Sequence, residues 1–487
     1  MMPREIAIVW FRRDLRLTDN PALEYAVANG YEIVPVYIHE PDSNFAWNPG
    51  SASKWWLHES LVALRESLAA VGGDLVFRCG HARDELGDIV EKSGATLATR
   101  NRLYDPDTLE RDRGIKSAMQ QVATVKSFPG YLLREPWLNQ KDDGSPYRVF
   151  TPFSKQYFAA ADPERSCPES PDLTGLFCRM PLRSDCIEQA GLLPNRSWHN
   201  KFSKYWKPGE QGAASALDDF LSSGLDRYGE ARDFPGEKGV SSLSAHLHYG
   251  EVSVDQVWQA VNIQRNVFAS DNDDTAASSA QGYLRQLVWR DFAHHILFHY
   301  PDTPDKPFNK RFESFEWETN DEFLTAWQSG ETGIPLVDAG MRELWETGWV
   351  HNRVRMIVAS VLTKNGLVHW RDGAEWFWDT LVDANLANNA MGWQWVAGCG
   401  VDAAPYFRVF SPVRQGERFD PLGEYVKKWI PALSALPAKY IHAPEKAGND
   451  ILEAAGIQLG KTYPQPILDL STTRIQALER YKKLRSA

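Results

Sequence analysis

The stretch EIAIVWF (residues 5–11) decides the fold of the first part of the chain. It is a short β-rich apolar run, and similar runs recur along the chain with helix-like patterns between them. Strands that alternate with helices predict right-handed βαβ crossovers and a doubly wound parallel sheet with helices on both faces. The other predicted strands are EIVPVYI (32–38), DLVFRCG (74–80) and ATLATRN (95–101), and the clearest helices span 53–71 and 82–94.

No G-x-G-x-x-G motif follows the first predicted strand, so the usual dinucleotide fingerprint is missing there. If this sheet binds a ligand, we expect it at the carboxyl edge of the strands. We assign this α/β domain to residues 1–135. From 136 to 205 the chain is rich in Pro, Gly and Ser with little sustained period, which predicts a long connector crossing the surface.

Helical patterns dominate from about residue 206, and nothing in this part reads as a repeat or a low-complexity tail. We therefore predict an all-α domain over residues 206–487, which carries most of the Trp residues. The predicted helical segments are 213–228, 254–268, 282–300, 320–330, 336–367 and 373–387.

The composition is that of an ordinary globular protein with an unusual number of Trp, 19 in 487 residues. These indoles indicate either large cores or stacking and redox roles. A net charge of −11 argues against a general nucleic-acid coat but leaves room for a local basic patch. The five Cys are irregularly spaced, so neither a disulfide framework nor a zinc site is predicted. With no apolar run of membrane-spanning length, we expect a cytoplasmic protein.

Two helical stretches carry faces that are odd for a plain core. In GWVHNRVRMIVAS (348–360), Asn352, Arg355 and Met356 share one face by their spacing. If Arg355 is buried, it needs a carboxylate partner, and Asp383 is the candidate. The plainer alternative is that Arg353 and Arg355 are both solvated surface charges. In YLRQLVWRDF (283–292) a second helix face holds Gln286, Trp289 and Arg290. These residue types suit recognition of a flat base beside a phosphate. The alternative is an ordinary half-buried amphipathic helix.

The stretch GVSSLSAHLHYGEVS (239–253) places Ser241, Ser242 and Ser244 just before an apolar helical run. Hydroxyls and free backbone N–H groups at a helix start can bind a phosphate, although an ordinary N-cap has the same pattern.

Four longer motifs are together similar to the photolyase/cryptochrome family: VWFRRDLRLTDNPAL (9–23), PGSASKWWLHESL (49–61), GWVHNRVRMIVAS (348–360) and NLANNAMGWQWVAGCGVDAAPYFRVFSP (385–412). The chain most resembles the bacterial branch related to plant cryptochromes, the class III cyclobutane pyrimidine dimer (CPD) photolyases. The resemblance implies an N-terminal antenna domain and a helical domain that binds FAD in a U-shaped conformation.

The resemblance also assigns residues to FAD. It places Tyr228, Ser241, Ser242 and Ser244 at the phosphates and ribityl chain, with Val240 where many members have Thr. Around the isoalloxazine it places five residues, with Asn389 facing N5 and Asn385 replacing a family Asp: Asn352, Arg355, Asp383, Asn385 and Asn389.

The two nearby indoles of the last motif take different roles in the family. Trp393, with Trp370 and Trp317, matches the chain that carries an electron from the surface to the flavin. Trp395 matches an aromatic wall of the cavity that receives the flipped-out dimer. The expected DNA and lesion contacts are Arg232, Gln286, Trp289, Arg290, Asn352, Arg353, Met356, Trp395 and Arg408.

Repair and signalling members share one fold, so the choice depends on the site. An uncharged Asn389 beside N5 suits the reduced anionic flavin FADH⁻ and favours CPD repair, whereas plant cryptochromes have Asp there. Gln286 points the other way, because many CPD photolyases have a Glu at this position. A blue-light receptor without repair activity is the alternative, and a light-independent flavoprotein or binding module is a further one.

The resemblance implies a light-dependent carbon–carbon lyase that repairs pyrimidine dimers in UV-damaged DNA, and we expect a monomer of the bacterial cytosol that needs no metal. Its antenna pigment is expected to be methenyltetrahydrofolate, with a deazaflavin as the alternative.

Overall fold

The computed structural model describes residues 4–41, 43–160, 170–193, 197–403 and 407–486. The chain divides into two compact units that do not follow chain order. Unit 1 comprises Met1–Asp226, Ser241–Pro301 and Val382–Leu386, and unit 2 comprises Arg227–Val240, Asp302–Leu381 and Ala387–Ala487. The domain boundaries at residues 135 and 205 remain a prediction. Cys167 lies outside the described residues.

Unit 1 contains a five-stranded parallel sheet in the order β3-β2-β1-β4-β5. The strands are β1 Ile6–Phe11, β2 Glu32–His39, β3 Val76–Cys79, β4 Leu97–Asn101 and β5 Thr124–Phe128. In the register of the sheet, Ala7 of β1 lies opposite Ile33 of β2 and Leu97 of β4. The order reverses between β1 and β4, which makes that edge the topological switch point of a doubly wound sheet. The predicted α/β class is confirmed.

The strands that the apolar runs predicted are all present, because parallel strands buried on both faces read as continuous hydrophobic runs. The fifth strand, TVKSF (124–128), is an edge strand in which three of the five residues are polar, and the apolar pattern does not reveal it. One face of the sheet packs Ile8, Trp10 and Val34 against Leu86 and Ile89 of the helix at Ala82–Ser93.

The helices of unit 1 are α1 Pro21–Ala28, α2 Ser51–Ala70, α3 Ala82–Ser93, α4 Pro106–Met119, α5 Phe150–Ala159, α6 Glu210–Ser223, α8 Ser244–Tyr249, α9 Val254–Ser270 and α10 Asp274–His299. Helix α5 lies inside the stretch expected to be connector. Its Phe150, Phe153 and Tyr157 are buried, so this part of the predicted connector contributes to the core of unit 1.

The helices of unit 2 are α7 Tyr228–Ala231, α11 Asp321–Ser329, α12 Pro335–Thr347, α13 Asn352–Ser360, α14 Trp370–Thr380, α15 Leu386–Ala397, whose first residue belongs to unit 1, α16 Pro412–Phe419, α17 Glu424–Trp429, α18 Asn449–Ala454 and α19 Leu470–Ser486. Residues 197–403 and 407–486 contain no strand, which confirms the all-helical prediction for the second half. The predicted segment 336–367 is broken at residues 348–351, between α12 and α13. Among the described residues, no helix combines the length and apolarity needed to span a bilayer.

Candidate functional site

The loop at residues 348–351 orients helix α13, which carries four of the predicted site residues. Glu343 of α12 accepts hydrogen bonds from the His351 backbone N–H (3.3 Å) and from the Tyr425 hydroxyl (2.6 Å). Burial raises the pKa of Glu343 to about 7. His351 is the N-cap of α13, and its Nδ1 accepts from the Arg353 N–H at 3.2 Å. A buried carboxyl group thus joins α12, α17 and the start of α13.

The side chains of α13 have separate surroundings. Asn352 is exposed and Met356 is half-buried. The Arg353 guanidinium pairs with Asp233 at 2.7 Å and lies over the Phe419 ring. The Nε–H of Arg355 donates to the Val350 carbonyl at 2.7 Å. The expected pairing of Arg355, in unit 2, with Asp383, in unit 1, stays a prediction.

Asn389 of α15 has its amide orientation fixed. Its Nδ2 donates to the Ala374 carbonyl of α14 at 3.0 Å. This bond uses the donor end of the side chain and leaves Oδ1 as an acceptor with no hydrogen bond among the described residues. Asn389 is half-buried, so that acceptor is available to a ligand.

The three predicted relay indoles form a series from half-exposed to buried. Trp317 is half-buried, while Trp370 and Trp393 are 1% and 3% exposed. His369 lies between the first two, with ring centroids 5.2 Å from Trp317 and 5.5 Å from Trp370. Trp393 packs against Gly373, one turn after Trp370 on α14, so closely that no Cβ fits there.

Trp393 and Trp395 point to different surroundings, as predicted. Trp393 contacts the rings of Phe377 and Trp327 in the core of unit 2. Trp395 is half-buried, and its Nε1–H donates to the Asp402 carbonyl at 3.1 Å. Gln394 between them is tied to the backbone of Thr303, Lys306 and Phe308 by three hydrogen bonds.

Three more predicted site residues of unit 2 lie outside helices α13–α15, and these are Tyr228, Arg232 and Arg408. Burial raises the pKa of Tyr228, and the Arg232 guanidinium lies 5.2 Å from its ring centre. Arg408 is exposed, next to the Phe410 ring.

In unit 1, the serine segment precedes α8, whose N-cap is Leu243 without a side-chain cap. The Ser241 Oγ accepts from the Leu243 backbone N–H at 3.4 Å, so an ordinary role at the helix start stays open for this hydroxyl. Ser241 Oγ also accepts from the Tyr283 hydroxyl at 2.9 Å, and Ser244 is exposed. Ser242 has φ +56°, an uncommon left-handed conformation for a residue with a Cβ.

Asn385 lies in a buried polar cluster of unit 1. Its Nδ2 is 3.1 Å from the Tyr131 hydroxyl and 3.4 Å from His294 Nε2. Burial and the nearby Arg290 lower the pKa of His294 to about 3, and burial also lowers the pKa of His248. A neutral imidazole accepts from an amide N–H, whereas it could not stabilise a carboxylate as a cation would. Asn in place of the family Asp therefore fits this cluster.

Helix α10 carries the second predicted face. Gln286 Nε2 donates to the Gly282 carbonyl at 3.3 Å, and its Oε1 has no partner among the described residues. Trp289 is half-buried and stacks on Phe150. The Arg290 guanidinium, 10% exposed, donates to the carbonyls of Tyr131 (2.8 Å) and Leu247 (3.3 Å). These bonds give Arg290 a structural role and do not favour its predicted contact with a DNA phosphate.

Two family models match the chain: "DNA photolyase" over residues 7–171 and "FAD binding domain of DNA photolyase" over residues 283–483. A deoxyribodipyrimidine photo-lyase of Agrobacterium fabrum is 45% identical over 97% of both chains. The chain belongs to the photolyase/cryptochrome family. Cryptochrome-1 of Arabidopsis thaliana is 37% identical, over 97% of this chain and 70% of its own length.

Solved structures of the family agree. A bacterial class III photolyase from Agrobacterium tumefaciens has a TM-score of 0.94 at 43% identity, covering 100% of this chain and 99% of its own. A Synechocystis cryptochrome has a TM-score of 0.87 at 28% identity, covering 98% and 100%. Repair and signalling members of the family are thus both similar to this chain.

Within unit 2, the free Oδ1 of Asn389 is an acceptor suited to a protonated ring nitrogen, which fits the FAD that the second family model names.

Sequence reasoning missed several residues that the structure places beside these. Phe150 lies in the predicted connector, and Glu343 and Tyr425 are single positions far apart in sequence, so the sequence carries no signal of their partners. It also missed a cluster at the switch point of the sheet. There the guanidinium carbons of Arg12, Arg100 and Arg111 lie 4.8–5.7 Å from the Trp10 ring centre, and Trp10 Nε1 has no hydrogen-bond partner among the described residues.

Proposed function

We propose that this chain is a deoxyribodipyrimidine photo-lyase, which uses light to split cyclobutane pyrimidine dimers in DNA. The observation that carries this proposal is the 45% identity to a deoxyribodipyrimidine photo-lyase over 97% of both chains. The orientation of Asn389 supports it, because an amide carbonyl accepts a hydrogen bond without offering a proton.

Bound FAD in its reduced form would supply the photoexcited electron that enters the dimer. Asn352, Arg355, Asp383, Asn385 and Asn389 would hold its ring system, and Tyr228, Ser241, Ser242 and Ser244 its phosphates and ribityl chain. Within this set, Asn389 would accept from N5–H and so keep the reduced form in place.

Trp317, Trp370 and Trp393 would serve to reduce the cofactor before repair. Trp317 has the most solvent contact of the three, and the cation left on it would be the best hydrated. Trp393 is shielded from water by Trp327, Phe377 and the backbone of Gly373. This order agrees with an electron moving inward from Trp317.

The lesion would be recognised by aromatic faces and amides. Trp289 and Trp395 would stack on the extruded pyrimidines, each stack contributing roughly 1–3 kcal/mol. Gln286 offers its Oε1 as an acceptor, and Met356 supplies an apolar contact. Arg232, Arg353 and Arg408 would bind flanking phosphates. A dimer is easier to flip than a normal base because its pairing is already weakened.

For the antenna we propose methenyltetrahydrofolate, with a deazaflavin as the alternative. The carboxyl edge of the sheet has three arginines, Arg12, Arg100 and Arg111, beside Asp112 and Glu40, and Arg111 is the least buried of the three. A cationic group at this edge suits an anionic pigment. We further propose that the protein acts as a monomer in the bacterial cytosol.

The test is a repair assay. Purified protein is mixed with an oligonucleotide that contains a thymine dimer, and the recovery of absorbance near 260 nm is followed under blue light and in the dark. We expect light-dependent recovery. A yellow protein that photoreduces but repairs nothing would instead be the blue-light receptor that the similarity to cryptochrome-1 favours.

A further inference from the structure

Phe150 forms the middle layer of a three-layer stack on helix α10. Its ring is parallel to Trp289, with centroids 3.5 Å apart and an interplanar angle of 7°. The guanidinium carbon of Arg285 lies over the Phe150 ring at 4.7 Å from its centre. Since Trp289 covers one face of the phenyl ring, Arg285 covers the other. Arg285 and Trp289 are four residues apart, so Phe150 inserts between two successive turns of one helix.

The backbone that carries Phe150 is fixed to the same helix. Phe150 is the first residue of α5, and the Tyr157 hydroxyl of α5 donates to the Asp291 carboxylate of α10 at 2.6 Å. Phe153 packs on Phe292 with centroids 4.9 Å apart. The phenyl ring is 1% exposed and has no freedom to leave the stack.

This geometry allows the half-buried Trp289 to offer at most one indole face to a ligand. One face of the indole is covered by Phe150, and its edge meets Phe292 in a T-shaped contact at 5.8 Å. An indole held by stacking on one side keeps its χ angles fixed and loses no rotamer freedom when a base stacks on the other side. A residue that freezes Trp289 before binding therefore raises affinity for any ligand that uses the free face.

We propose that Phe150 is a positioning residue for lesion recognition: it holds Trp289 so that one indole face is presented to the extruded pyrimidine dimer. This inference rests on the proposed function, since it assigns a role within the same site. Phe150 itself does not touch the lesion. Its effect should appear in the discrimination between damaged and undamaged DNA, which general packing does not determine.

The experiment measures dissociation constants of the FAD-loaded protein in the dark, with one oligonucleotide containing a thymine dimer and the same sequence undamaged. Phe150→Leu removes the flat ring and is expected to weaken dimer binding about five- to tenfold. This loss corresponds to part of the binding free energy of one base–aromatic stack. Binding to undamaged DNA should change less than twofold. Phe150→Tyr retains the ring and should restore the preference.

Phe158→Leu is the matched control. Phe158 lies on the same helix and stacks on Trp258, with centroids 5.8 Å apart. It should lower the melting temperature without altering the preference for the dimer. If Phe150→Leu does not fold, Phe150→Met, which keeps a similar volume without a ring, replaces it.

The outcomes separate the two proposals. If wild-type protein prefers dimer DNA and neither the Leu nor the Met variant loses that preference, the role of Phe150 is overturned and the proposed function stands. If Phe158→Leu loses the preference equally, the effect is general packing and the inference is again overturned. A wild-type protein with no preference overturns the proposed function, and the inference with it.

Discussion

Gln286 is one of the residues at which this chain departs from the pattern that the resemblance implies, and its geometry explains how a Gln can serve. Its Nε2 is bound to Gly282, which leaves Oε1 as the free acceptor where a Glu would also present an oxygen. We expect Gln286→Glu to raise the quantum yield of dimer splitting, because a carboxyl group can also share a proton with the dimer. Gln281→Glu, on the same helix and bonded to Arg265, adds the same charge as a control. An unchanged or lower yield in Gln286→Glu would contradict the prediction.

Glu343 makes stability depend on pH. Burial raises its pKa from about 4.5 to about 7, so the folded state binds more protons than the unfolded state between these values. The protonated form stabilises the fold at low pH, and about 3 kcal/mol is lost as pH rises through that window. We expect the melting temperature of Glu343→Gln, relative to wild type, to be lower at pH 5 than at pH 8.

The control for this pH effect is Glu331→Gln, an exposed carboxylate just before the same helix, which removes the same charge. Its melting temperature should keep a constant offset from that of wild type between pH 5 and pH 8. A constant offset for Glu343→Gln as well would show that Glu343 does not titrate in this range.

At the scale of elements, the packing of α14 on α15 fixes the position of Trp393, the inner indole of the proposed relay. A Cβ at Gly373 of α14 would overlap the Trp393 ring of α15, while a Cβ at Gly392 meets no atom within 4 Å. Gly373→Ala should destabilise the protein by about 1–3 kcal/mol and slow photoreduction by displacing Trp393. Gly392→Ala should stabilise α15 by about 0.5–1 kcal/mol and leave photoreduction unchanged. Thermal unfolding and the rate of flavin bleaching under blue light measure both, and equal behaviour of the two variants would contradict this packing.

Trp370 begins α14 and is the middle indole of the proposed relay. A phenyl ring is much harder to oxidise than an indole, so Trp370→Phe should abolish photoreduction while FAD remains bound. Chemically reduced variant protein should still repair dimers, because the relay acts only before repair. Photoreduction at the wild-type rate would exclude Trp370 from the path.

The sequence predicted elements best where one pattern ran unbroken. The apolar runs of β1–β4 and the patterns of α2, α3 and α9 agree closely with the structure. Helices α1 and α4 were not predicted, although each has Pro in its first turn. Helix α5 was not predicted, because the residues around it are rich in Pro, Gly and Ser and because its buried face depends on α10.

At the scale of the whole molecule, an acidic protein must bind a polyanion through a few local cations. The net charge is −11, and the proposed phosphate contacts are Arg232, Arg353 and Arg408. Three phosphate contacts predict a slope of about −3 in a plot of log K against log salt concentration for dimer DNA. Binding titrations between 50 and 200 mM salt measure it, and a slope near zero would exclude an interface built on these arginines.

The sequence by itself determined the α/β-plus-helical class, the membership in a photolyase-like family and the candidate residues, because these depend on local periodicity and on motifs contiguous along the chain. Only the tertiary structure decided which atoms of those residues are free. It showed that Asn389 presents its carbonyl, that Arg290 is engaged by backbone oxygens and that Trp289 has one face covered by Phe150. Each of these facts depends on groups far apart in sequence, and a hydrogen bond or a ring stack is set by the packing that brings them together.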